Sequence, residues 1–68
     1  MKDLYGVITL LKRFGIYIYT GNRYNDILLM QSEVKDIYDN GFLLQQDYLL
    51  ARMILQHELT LESEKLKN

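Results

Sequence analysis

The chain has 68 residues, 49% of them hydrophobic, a formal net charge of −1 and no cysteine or proline. This length allows one domain, and the missing cysteines exclude disulfide bridges and zinc–thiolate sites. The slightly acidic balance is not typical of nucleic-acid-binding proteins, so such a function would need a local basic patch. No apolar run approaches the roughly 20 residues that span a bilayer, and the N-terminus lacks a signal-peptide pattern. We therefore expect a cytoplasmic protein without a membrane segment.

The first helix is predicted over residues 4–14. Asp3 is a suitable N-cap, and apolar side chains recur on one helix face as far as Phe14. Gly15 then supplies the left-handed residue that ends many helices, and Ile16 is placed against the last turn. These signals predict both the first helix and the position at which it ends.

The next segment, Ile16 to Thr20, is predicted to be a short ordered linker that lies on the bundle between helices one and two. A distorted helical turn is the alternative. If the segment is extended, its isoleucines face one side and its tyrosines the other.

The second helix is predicted over residues 23–39, with Asn22 as its N-cap and Asn40-Gly41 at its end. The third is predicted over residues 45–61. Leu44 occupies its cap position and cannot accept a backbone N–H, so this helix start should lack a cap.

The helical periodicity predicts an all-α fold, a small three-helix bundle over residues 1–61. Residues 62–68 form a polar C-terminal tail, with continuation of the third helix as the alternative.

Enzymatic activity is not predicted, and neither is a metal or cofactor. The only histidine is His57, and its neighbour Glu58 points about 100° away from it on a helix, so the two cannot converge on a metal. Glu58 and Glu62 share a face one turn apart. We interpret them as rim carboxylates that pair with Lys or Arg from a neighbouring helix.

A local group of basic and aromatic residues indicates single-stranded DNA or RNA binding. Arg13, Tyr17, Tyr19 and Arg23 lie within eleven residues of each other. Bases stack on aromatic rings while nearby cations hold the phosphates. Three further cations would extend this patch if the fold brings them together: Lys12, Lys35 and Arg52. In the alternative interpretation the tyrosines fill the core and place their hydroxyls at its rim.

Another group of side chains predicts protein–protein interaction or a homodimer. Leu28 and Leu29 lie off the apolar stripe of the second helix, and Leu49 and Met53 lie off that of the third. Apolar residues outside the core stripes of two helices would form an interaction patch.

The run Ile18-Tyr19-Thr20-Gly21-Asn22-Arg23 resembles the YqgQ-like family of small bacterial proteins. The similarity continues on both sides of this run, at Leu10-Leu11-Lys12, Phe14-Gly15, Asp26-Ile27, Leu29-Met30, Glu33-Val34, Ile37-Tyr38, Gly41, Tyr48, Ala51, Ile54-Leu55 and Glu58. The resemblance implies a three-helix bundle with no assigned enzymatic activity, for which single-stranded nucleic acid binding has been proposed.

The sequence departs from the family pattern at three positions. Asn22 replaces an Asp, which keeps the cap but removes a negative charge. Leu44 replaces a Ser or Thr cap, and Leu28 replaces a charged residue. These last two changes make the surface more apolar, which bears on whether this protein self-associates.

Overall fold

The computed structural model describes residues 1–66, which form three packed helices and no strand. α1 spans Leu4–Arg13, α2 spans Arg23–Asp39 and α3 spans Gln45–Lys65. The predicted all-α three-helix bundle is confirmed. α3 continues beyond residue 61 through the first part of the polar tail, while residues 67–68 lie outside the described part of the chain.

The first two helices end in the same way. Phe14 is the C-cap of α1 rather than its last residue, and Gly15 follows with a φ of 73°. The Gly15 N–H donates to the Lys12 carbonyl and the Ile16 N–H to the Leu11 carbonyl, both at 3.0 Å. This is the Schellman motif, and its left-handed residue favours glycine. Asn40, Gly41 and Phe42 repeat it after α2.

The helix starts differ from one another. The Asp3 carboxylate accepts the Gly6 N–H at 3.2 Å, and the Asn22 amide oxygen accepts the Asn25 N–H at 3.0 Å. Leu44 makes no side-chain hydrogen bond at the start of α3. All three predictions about the caps are confirmed.

The helices do not follow a simple up-and-down path. The ring of Phe14, after α1, lies 6.4 Å from that of Phe42, after α2, so these two helices end at the same side of the bundle. Arg23, at the start of α2, bonds to Glu58 and Glu62 late in α3. α1 and α2 are therefore parallel, and α3 is antiparallel to both.

This arrangement requires the linker to return along α1. The ten residues of α1 span about 15 Å, and five extended residues cover about 16 Å. Ile16 and Ile18 are partly buried against the core, while Tyr17 and Tyr19 are exposed. The alternation has a period of two, which supports the ordered extended linker over the distorted helical turn.

The core comes from one face of each helix, and α3 packs most extensively against α2. Its eight buried side chains are Val7, Leu11, Ile27, Met30, Val34, Ile37, Ala51 and Leu55. Phe14, predicted on the apolar face of α1, is 41% exposed because the helix ends at that point.

Candidate nucleic-acid interface

The outer side of the linker presents two tyrosine rings. Tyr17 is 74% exposed and Tyr19 is 88% exposed. Ile16 and Ile18 alternate with them and pack on the core, so the backbone that carries the rings is held against the bundle. The tyrosines therefore do not fill the core.

An apolar groove runs beside these rings between the linker, α1 and α2. We call it the linker groove, and its volume is about 310 Å³. Its lining side chains are Ile8, Leu11, Lys12, Ile16, Tyr17, Ile18, Tyr19 and Met30. The structure thus brings Lys12 to the same groove as both tyrosines, as the predicted patch requires.

Thr20 and Asp26 fasten the end of the linker to α2. The Thr20 N–H donates to the Asp26 carboxylate at 2.8 Å, and its hydroxyl donates to the same oxygen at 2.6 Å. The Thr20 hydroxyl also accepts the Asn22 N–H at 3.3 Å. Asp26 is not among the residues that the sequence predicts for the site. Its short spacing from Thr20 across a helix start was the signal for this contact.

Arg23 lines a groove of about 340 Å³ next to Tyr19, but its guanidinium is already paired. Its Nε lies 2.8 Å from the Glu62 carboxylate and one terminal nitrogen lies 3.3 Å from that of Glu58. Lys65 adds a contact to Glu62 at 3.3 Å. The interpretation of Glu58 and Glu62 as rim carboxylates is confirmed. A phosphate at Arg23 would compete with two carboxylates.

Two more of the predicted cations, Arg13 and Arg52, lie elsewhere. Arg13 follows Lys12 by one residue, which turns it about 100° around α1. It lines a groove near the start of α3 together with Asp47. The guanidinium carbon of Arg52 lies 6.0 Å from the ring centroid of Tyr48, on the α2–α3 side of the molecule.

The predicted leucine patch is only partly assembled. Leu49 and Met53 line a groove between α2 and α3 with Gln31, Arg52 and Gln56. Leu28 precedes Gln31 by three residues and so lies on the same side of α2. Leu29 is turned about 100° away from Leu28. The structure thus joins Leu49 and Met53, places Leu28 near them and separates Leu29.

Residues 1–66 contain no group of three or more His, Cys, Asp or Glu side chains placed to hold a metal ion, and His57 is exposed. No helix in this range is long and apolar enough to cross a membrane. The Lys35 ammonium donates a hydrogen bond to the Asp39 carboxylate, with 2.7 Å between Nζ and Oδ2. This bond raises the pKa of Lys35 above its ordinary value.

Comparison with known protein families matches residues 1–61 to the family described as YqgQ-like. The chain belongs to this family. The Uncharacterized protein YqgQ of Bacillus subtilis (strain 168) is 36% identical over 59 residues, which cover 87% of this chain and 83% of the relative.

The YqgQ-like match spans α1, the linker, α2 and α3 as far as residue 61. It therefore includes the linker groove and the Arg23–Glu58 pair, and it stops just before Glu62. The name of the Bacillus subtilis relative assigns it no activity. The function of this chain must be argued from its own surface.

Proposed function

We propose that the protein binds single-stranded nucleic acid through the outer side of the linker. The supporting observation is the pair of exposed rings of Tyr17 and Tyr19 beside Lys12 in one groove. Stacking a base on an aromatic ring contributes about 1–3 kcal/mol without requiring a particular base. Lys12 supplies the positive charge for a neighbouring phosphate.

The charges of the molecule define what kind of binding to expect. The net charge is −1, and Arg23 is neutralised by Glu58 and Glu62. One or two phosphate contacts are thus all that the linker side supplies. For single strands the logarithm of the binding constant falls by about 0.7 per contact and per tenfold rise in salt. Affinity should therefore fall about 5- to 25-fold for a tenfold rise in salt concentration. Stacking should supply most of the affinity that remains at high salt.

Fluorescence anisotropy with a labelled single-stranded oligonucleotide at low salt tests this proposal. Tyr19→Ala should weaken binding about 5- to 150-fold, because it removes one stacking platform. Tyr5→Ala is the matched control, since Tyr5 is 79% exposed on α1 and lines neither groove beside the linker. Arg52→Ala is the corresponding control for Lys12→Ala. Absence of binding at low salt, or equal losses in Tyr19→Ala and Tyr5→Ala, would contradict the proposal.

A second candidate function is self-association through the α2–α3 groove. Met53 is 70% exposed there beside Leu49, and Leu28 is also exposed. A second copy would cover these side chains and bury apolar surface that water now contacts. Light scattering over a range of concentrations tests this, with Met53→Glu expected to dissociate the dimer. A strict monomer at high concentration would contradict it.

A further inference from the structure

The linker backbone has hydrogen-bonding groups without partners. Within residues 1–66, the N–H and C=O groups of Tyr17, Ile18 and Tyr19 make no hydrogen bond, whereas the flanking Ile16 and Thr20 N–H groups both do. Each residue carries one donor and one acceptor, so three donors and three acceptors are available along three consecutive positions. Helices provide no such row, because their backbone groups pair internally.

The three residues that carry these groups line an apolar groove of limited size. The linker groove of about 310 Å³ is at the lower end of the volumes that hold small molecules. Ile8, Leu11 and Met30 supply apolar walls beside the linker residues. A flat, aromatic ligand with donors and acceptors along its edge suits this combination. A nucleobase that is not paired with another base has both features.

We propose that the linker backbone reads the edge of one unpaired base inserted in the linker groove, an inference that rests on the proposed nucleic-acid binding. The Tyr17 and Tyr19 rings stack neighbouring bases, and Lys12 contacts a phosphate. The substrate class is therefore single-stranded nucleic acid whose bases are splayed apart. A duplex does not bind, because its Watson–Crick edges are already paired and its bases are stacked on one another.

This arrangement gives the protein a base preference, although no side chain is used for discrimination. Consecutive residues of an extended segment direct their N–H groups to opposite edges. The Ile18 N–H and those of Tyr17 and Tyr19 therefore face different sides of the linker. Proline removes the N–H of the residue that it replaces, which lets each edge be tested separately.

The experiment compares single-stranded homopolymers of dA, dC and dT, with duplex DNA as a further ligand. Wild-type protein should prefer one homopolymer about 5- to 30-fold, the effect expected when one or two hydrogen bonds are made or lost. Tyr17→Pro is paired with Tyr17→Ala, since both lose the ring and only proline loses the N–H. Ile18→Pro is paired with Ile18→Val, since both change the side chain and only proline loses the N–H. In one of the two pairs, the proline variant should lose the preference and its partner should keep it.

Two results would overturn the inference while leaving the proposed function standing. These are equal binding of all three homopolymers, and a preference that survives in both proline variants. Failure to bind any single strand at low salt would instead contradict the proposed function itself. If the proline variants do not fold, amide hydrogen exchange of the wild-type protein decides. Either residue 18 or residues 17 and 19 must then gain protection on adding the preferred homopolymer, and unchanged exchange at all three overturns the inference.

Discussion

Thr20 is the residue that holds the end of the linker in place, because its N–H and hydroxyl both bond to Asp26. Thr20→Val keeps the shape of the side chain and removes the hydroxyl. We expect the free energy of unfolding to fall by about 1 kcal/mol, which is the usual contribution of one hydrogen bond. In a domain of this size the melting temperature should fall by about 4–8 °C.

Thr60→Val is the matched control for this change. The Thr60 hydroxyl donates to the Gln56 carbonyl at 3.0 Å on the exposed side of α3 and holds no other segment. Its removal should alter stability by less than about 0.5 kcal/mol. Equal melting temperatures of the two variants would show that Thr20 does not fasten the linker.

The Lys35–Asp39 pair provides a prediction about pH. The hydrogen bond and the charge of Asp39 raise the pKa of Lys35 above 10.5. The folded state therefore holds the proton of Lys35 more tightly than the unfolded state does. The contribution of the pair to stability is fully present below the ordinary pKa of 10.5 and is lost as the pH rises through the higher pKa of the folded state. An NMR titration of the Lys35 side chain should show the raised pKa in wild type and a lower one in Asp39→Asn. An identical titration in both would contradict the assignment.

Among the helices, α3 is the one whose start can be stabilised by adding a side-chain N-cap. Leu44 is 68% exposed and makes no side-chain cap, so little buried surface is lost on replacing it. Leu44→Ser should stabilise the protein by about 1 kcal/mol by accepting one of the free N–H groups. Thermal unfolding followed by circular dichroism measures this. A lower melting temperature would mean that Leu44 contributes more by packing than a cap does.

The element ends were predictable because their causes are local. Asp3, Asn22 and the glycines after α1 and α2 act within one turn of their own helix, so the sequence reveals them directly. The direction of the helices was not predictable in this way. Apolar stripes show which face is buried but not which neighbour covers it. The parallel arrangement of α1 and α2 depends on how the linker packs.

For the whole molecule, the small core makes stability sensitive to single changes. A chain of 68 residues has a total stability of about 3–10 kcal/mol. Leu55 is fully buried, and Leu55→Ala should cost about 2–5 kcal/mol through lost contacts and the cavity left behind. Denaturant unfolding should show that roughly half of the free energy of unfolding is lost. Leu61→Ala, at a side chain 40% exposed, should cost less, and equal costs would contradict this account of the core.

The candidate site could be predicted from sequence only where its parts are adjacent. Tyr17 and Tyr19 lie on one side because an extended segment has a period of two. Lys12 joins them because the linker returns along α1, which sequence reasoning did not anticipate. Arg13 and Arg52 lie in other grooves. The pairing of Arg23 with Glu58 and Glu62 was foreseen from the carboxylates but not from the arginine. Such long-range contacts depend on the packing of whole helices.

The central claim is that the linker side is the surface that contacts single-stranded nucleic acid. Amide chemical-shift mapping of the folded protein during titration with a single-stranded oligonucleotide tests it most directly. We expect the largest changes at Lys12 and at residues 16–20, with α3 residues 49–56 unaffected. Changes confined to residues 49–56, or no change at low salt, would contradict it.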